Sequence, residues 1–134
     1  MTVIVACGAK KLSREAPARD LYTGGYFKAC LAYALKIAPA ENVRILSAKH
    51  GLIGLNDVIA PYNRKMGDPS SITESALTEQ AEAQELLAEK VVVLGGRLYA
   101  GLCQKVWREV EAPLEGKGGL GQQIAWMKKQ LEVG

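Results

Sequence analysis

Histidine is nearly absent from this sequence. His50 is the only one in 134 residues. The three cysteines, Cys7, Cys30 and Cys103, show no metal-like spacing and no Cys-x-x-Cys pair. The residues therefore offer no structural zinc site and call for no metal or other cofactor. An odd cysteine count without a secretory signal points to reduced thiols and a cytoplasmic setting. Long apolar runs are missing too. None approaches the ~20 residues needed to span a bilayer, so no membrane role is expected. The apolar start, Thr2 to Ala6, is too short and lacks a basic flank for a signal peptide, and reads as a first strand. There is no internal repeat and no low-complexity tract. A large charge of one sign is absent as well. The net charge of +3 falls well short of a dedicated DNA coat protein. The length fits a single domain, residues 1–134, with a real core.

What charge there is has a pattern. Residues 1–67 hold 10 Lys/Arg against 4 Asp/Glu, a net +6, and residues 68–134 hold 7 against 10, a net −3. The positive half also carries the unusual loops, which favours an anionic ligand there, nucleic acid or a nucleotide.

Apolar runs at Thr2–Ala6, Val43–Leu46 and Val91–Leu94 read as buried strands. Helical spacing places helices at about 26–37, 70–89, 97–110 and 122–131, with a short helical turn at 58–60 capped by Asn56-Asp57. Pro113 confines the extended segment Glu111–Leu114 to an edge. The order β-α-β-loop-α-β-α-(β)-α predicts an α/β fold. Its mainly parallel sheet has about four strands, with helices on both faces. In such sheets ligands bind at the carboxyl ends of the strands.

Three strands end in chemically distinctive turns. The first runs into Cys7-Gly8-Ala9-Lys10-Lys11, where small residues let backbone approach a ligand, although this turn has neither a Walker pattern nor G-x-G-x-x-G. The second runs into Ser47-Ala48-Lys49-His50-Gly51. The third runs into Gly95-Gly96-Arg97. Tyr22-Thr23-Gly24 precedes a helix whose free amides suit an anion. Tyr62 to Lys65 interleaves an aromatic with basic residues, a pattern that suits phosphates and a stacked base. The loop Gly116–Gly121 before Gln122 is either a phosphate cradle or a hinge. Each feature has an ordinary reading as well: a solvated lysine, a helix cap, a wet loop or core packing.

The ordered series Val5-Ala6-Cys7-Gly8-Ala9-Lys10-Lys11, Leu21-Tyr22-Thr23-Gly24, Leu46-Ser47-Ala48-Lys49-His50-Gly51-Leu52 and Asp57-Val58-Ile59-Ala60-Pro61-Tyr62 resembles the small bacterial and phage domain family DUF6884. That family in turn resembles a reduced version of the YaaA (DUF328) peroxide-stress family. The match covers roughly residues 3–67, with weaker support from Gly95-Gly96 and the last glycine loop with Gln122-Gln123. The resemblance implies a compact α/β fold and a positively charged, DNA-binding cleft. Its looser links include phage and defence proteins with base-excising glycosylase activity.

These expectations meet in one reading: binding of nucleic acid, DNA above all, or of a nucleotide, with recognition or excision of a modified nucleobase. N-glycosidic cleavage needs an anion beside the sugar and donors for the departing base. Asp57 is the carboxylate nearest the central motif and takes the first role. His50 takes the second, by proton donation or hydrogen bonding. Tyr22 and Tyr62 are expected to stack on the base. Lys10, Lys11, Lys49 and Lys65 are expected to hold phosphates, with Cys7 and Ser47 lining the pocket. Gly24, Gly51, Arg97 and Gln122 complete the expected ligand-binding set. Two other classes stay open, a non-catalytic DNA-binding module and an N-glycosidase or transferase on a free nucleotide. The sequence also leaves a homo-oligomer open.

Overall fold

A computed structural model describes residues 1–132. Its centre is β1 (Thr2–Ala6), buried along its whole length. β1 pairs in parallel with β3 (Val43–Ser47) on one side and β6 (Val91–Leu94) on the other. β4 (Gly51–Gly54) adds antiparallel to β3, and β7 (Val110–Glu111) adds parallel to β6. The sheet order is β4-β3-β1-β6-β7. The expected fold class is therefore found, with five strands instead of about four. A two-stranded ribbon stands apart, pairing β2 (Ala16–Pro17) with β5 (Val58–Ile59).

Alternation along the strands builds two cores. Val3, Val5, Val43, Ile45, Val92 and Leu94 face one layer. Ile4, Leu46, Leu52, Val91 and Val93 face the other. Besides the short α1 (Ala18–Leu21), four longer helices cover these faces. α2 (Gly25–Ile37) and α5 (Leu120–Glu132) pack on the first, through Phe27, Cys30, Ala34 and Met127. α3 (Glu74–Ala83) and α4 (Arg97–Val106) pack on the second, through Leu77, Ala81, Ala100 and Cys103. Each fully buried aliphatic side chain contributes about 1.5–3 kcal/mol, so these alternating faces dominate the stability.

Several boundaries differ from expectation, each for a local reason. The helical turn expected at 58–60 is the strand β5, because Ala16-Pro17 offers it a partner. The long helix expected from Ser70 starts at Glu74, where the Thr73 side chain accepts from the Ala76 amide 3.1 Å away. It stops at Ala83 because Glu85 takes a left-handed φ of 57°. α4 ends at Val106, since Trp107 turns extended to bury its ring. Gly51 and Gly54 give residues 51–54 the pattern of a loop, yet they form β4, because the edge of β3 offers them backbone partners.

Both sheet edges are closed to further pairing. On β4 the outward Leu52 amide donates to Gln80 Oε1 (2.8 Å), and the Gly54 amide donates to Asp57 Oδ2 (2.7 Å). On the other side β7 pairs for only two residues, and Pro113 follows. Among the described residues no helix is long and apolar enough to cross a membrane.

Candidate functional site

Parallel pairing puts the ends of β1, β3 and β6 at one sheet edge. The helices add to this edge. α4 starts just after β6 ends there, and the start of α2 is tied to the loop after β1, where the Thr23 amide donates to the Lys10 carbonyl (3.0 Å). The Ile72 amide, just before α3, donates to the Ala48 carbonyl at the end of β3 (2.8 Å). α5 runs alongside α2 in the same direction, tied by Tyr26 Oη to Gln123 Oε1 (2.6 Å) near their starts and by Lys36 Nζ to the Gln130 carbonyl (2.6 Å) near their ends. All four long helices therefore aim their positive ends at one edge, a field that favours anions.

Behind this edge lies a chain of hydroxyls. Ser47 Oγ accepts from the amides of Lys49 (3.1 Å) and His50 (3.0 Å). With two amides on its acceptor side, Ser47 directs its own proton to Tyr62 Oη, 2.7 Å away. Tyr62 Oη lies a further 2.7 Å from Tyr22 Oη. Lys11 Nζ sits 4.4 Å from the centre of the Tyr62 ring, and the His50 ring meets Tyr62 edge-on at 5.6 Å. Lys11 reaches this place because it pairs with Tyr22 across a one-bridge ladder. On the other side of β1, Cys7 Sγ lies 3.3 Å from Tyr99 Oη on α4.

Burial pushes the phenols of Tyr22, Tyr62 and Tyr99 above their ordinary range, Tyr22 up to about 12. They stay protonated and act as hydrogen-bonding groups, not as bases. Burial, reinforced by Lys49 and Arg64, pushes His50 down. This favours the neutral imidazole, which suits the hydrogen-bonding form of the expected role. Burial also lowers Lys11, against a smaller opposing effect of Cys7.

The expected residues divide into three groups. Cys7, Lys11, Tyr22, Ser47, His50 and Tyr62 are brought together. Lys10, Lys49, Lys65 and Arg97 are exposed cations, with Lys65 and Arg97 lining cavities and Gly24 capping α2 at the same edge. The remaining three require correction. Asp57 is not in the cluster. It holds Gly54, which pairs with Arg44, three residues before Ser47 along β3 and about 10 Å away. Its carboxylate closes the β4 edge, and no carboxylate stands beside His50 among the described contacts. Gly51 is buried as a turn of φ +74°, where a Cβ would run into the Gln80 amide. Gln122 bends back to accept from the Gly119 amide (2.6 Å).

Two contact roles change as well. Tyr22 is 1% exposed and packs on Phe27 with ring centres 5.0 Å apart, so it offers no face to a base. Ser47 is 0% exposed and belongs to the framework, not to a pocket wall.

Open space lies in two places: a cavity of about 600 Å³ at the far end of β3, walled by Arg19, Glu41, Arg44, Asp57 and Gln84, and a set of cavities next to the hydroxyl chain, around the first turn of α4. A cavity of about 190 Å³ is walled by Cys7, Gly8, Ala9, Arg64, Lys65, Met66, Leu98 and Tyr99. It shares Met66 and Leu98 with a second of about 260 Å³, which also takes in Arg97 and Lys105. That one shares Arg97 and Gly101 with a third of about 750 Å³, walled by Gly95, Gly96, Gly116, Gly118, Gln104, Glu115 and Gln123. The three adjoin along α4, and four cations line this grooved face: Arg64, Lys65, Arg97 and Lys105. Glu115 is the only acidic side chain lining them. The groove passes the ends of β1 and β6. Their following helices leave to opposite faces there, the switch point where α/β sheets bind ligands.

The chain matches a family described as a family of unknown function, DUF6884, over residues 2–129. The chain belongs to the DUF6884 family. No curated protein and no solved structure matches it.

The sequence of this DUF6884 chain points to Tyr99 beside the Gly95-Gly96-Arg97 turn, and gives no sign that Gln80, Leu98 and Lys105 belong to the site. Lys105 carries no motif, and its place depends on the way α4 lies across β6. One sequence signal was there to be found. Gly116-x-Gly118-x-x-Gly121 has dinucleotide-loop spacing and opens α5, with Gly116 and Gly118 at φ +77° and +95°. Its context differs from a dinucleotide fold, because β7 ends at Glu111, well before the loop. Among the described residues no group of three or more His, Cys, Asp or Glu is placed to hold a metal.

Proposed function

We propose that this domain binds nucleic acid, laying the phosphate backbone along the groove around the start of α4. The observation that carries this is the groove's lining of four cations and one acid across three adjoining cavities. The four helix starts at the same edge add to the attraction for phosphate. The resemblance of the strand-end motifs to the YaaA family points the same way. Base excision through Asp57 is not part of this reading, because that carboxylate closes the far end of β4. Three free cysteines fit a reducing, cytoplasmic setting.

The test is anisotropy of a labelled duplex and a labelled single strand against salt. Four cations on duplex phosphates give a log-log salt slope of about −3.6, and the double variant Lys65→Gln/Arg97→Gln reduces it by about 1.8. Absence of binding at low salt, or a slope unchanged in the variant, refutes the reading.

One observation favours a second reading, a free nucleotide. The cavity of about 750 Å³ beside Gly95, Gly96 and Gly116 is the size of a small-molecule site. Under that reading mononucleotides raise the melting temperature at millimolar concentration, and oligonucleotides do so no better.

A further inference from the structure

α4 carries one side chain that contradicts its own pattern. The helix buries Ala100 and Cys103, with Trp107 just beyond its end. Arg97, Gln104 and Lys105 line cavities on its open side. Leu98 shares that open side and is 60% exposed. An isolated exposed leucine is ordinary. Leu98 is set apart by its surroundings. It walls two of the three groove cavities, so it stands in the middle of the cationic track, between Lys65 and Arg64 on one side and Arg97 and Lys105 on the other.

It is also braced. Gly67, at φ +98°, presses so close that a Cβ there would lie 3.0 Å from Leu98 Cδ1. The backbone of 66–68 thus backs the leucine. That backbone is itself held, because the Lys65 amide donates to Asp68 Oδ2 (3.0 Å) and the Gly67 amide to Ser71 Oγ (3.3 Å). An apolar knob braced between cations fits a duplex whose phosphates flank it and whose base step opens around it.

We propose that Leu98 is a wedge that inserts between two base pairs of duplex DNA, from the minor-groove side, while the flanking cations hold the phosphates. The cations on both sides commit the partner to a polyanion. The exposed leucine commits it to one with an apolar interior to enter. A-form RNA, with its wide and shallow minor groove, fits less well. This inference rests on the nucleic-acid reading above.

The experiment uses the full chain and a duplex carrying 2-aminopurine at a TA step, with fluorophores on both ends. For the wild type, binding raises the 2-aminopurine signal as the step unstacks, and energy transfer rises as the duplex bends. Leu98→Ala is expected to weaken duplex binding by about tenfold and to abolish both signals, with an unchanged salt slope. Leu98→Met supplies an apolar wedge of similar size and is expected to retain most of the signal. Circular dichroism confirms that the variants fold, as expected for an exposed position. If the wild type binds and the two signals stay flat, or Leu98→Ala behaves like the wild type, the wedge is wrong while nucleic-acid binding stands. If the wild type binds the single strand and no duplex, the wedge is wrong while nucleic-acid binding stands; if it binds neither, both proposals fall. Binding of duplex RNA with an equal 2-aminopurine response overturns the assignment to DNA.

Discussion

Replacing Ser47 by alanine removes three hydrogen bonds with one atom. Ser47 Oγ accepts from the amides of Lys49 and His50 and bonds Tyr62 Oη at 2.7 Å, from a site that is 0% exposed. Each buried polar group left without a partner costs about 1–3 kcal/mol. The amides belong to a turn whose side chains reach solvent, so water replaces part of what they lose. Tyr62 keeps its contact with Tyr22. The expected loss is therefore about 2–3 kcal/mol, at the low end for three groups. Urea unfolding followed by circular dichroism measures it, with the denaturant slope unchanged because the fold is unchanged. Tyr62→Phe breaks the same chain from its middle. The double variant should lose about 1 kcal/mol less than the sum of the two single losses, since both remove the Ser47–Tyr62 bond. A loss under about 0.5 kcal/mol for Ser47→Ala, or strict additivity with Tyr62→Phe, would show that the hydroxyl chain does not hold the strand ends together.

Gly51→Ala should cost about 2 kcal/mol or more, because φ is +74° and the new Cβ meets the Gln80 amide that clamps Leu52 and His50; thermal unfolding reads it. Asp57→Ala should cost only about 0.5–1.5 kcal/mol, leave nucleic-acid affinity unchanged, and increase aggregation on heating by freeing the Gly54 amide at the β4 edge; light scattering during a melt reports this. Stability should fall on both sides of neutrality. Below pH 6.5 the unfolded chain takes up a proton on His50 that the folded chain resists, so it binds more protons and gains. Above pH 9 the unfolded chain releases protons from Cys30 and Cys103, and above pH 10 from Tyr22, while burial holds each folded group up to about 12; the folded state then binds more protons, and its stability declines as pH rises. Chemical denaturation across pH 5 to 11 checks both limbs.

What the sequence determined by itself is the framework. Three β-branched or leucine-rich runs bury themselves wherever they pair, so Thr2–Ala6 and Val91–Leu94 appeared with the bounds expected. Alternation of strands and helices then required parallel pairing, and parallel pairing required the distinctive turns to share an edge. The convergence of Lys11, Tyr22, Ser47 and His50 follows from that, and so was legible. Tertiary structure alone decided which of these groups face solvent. Tyr22 reads as a platform and is a buried strut, because Phe27 and Tyr62 cover it. Asp57 is next to the central motif in sequence, and β4 carries it to the opposite end of β3, since an antiparallel hairpin reverses the chain. Leu98 and Lys105 carry no signal in sequence because a groove is a property of several elements at once. Short-range patterns fix what each segment buries, and only the packed chain fixes what the segments leave open between them.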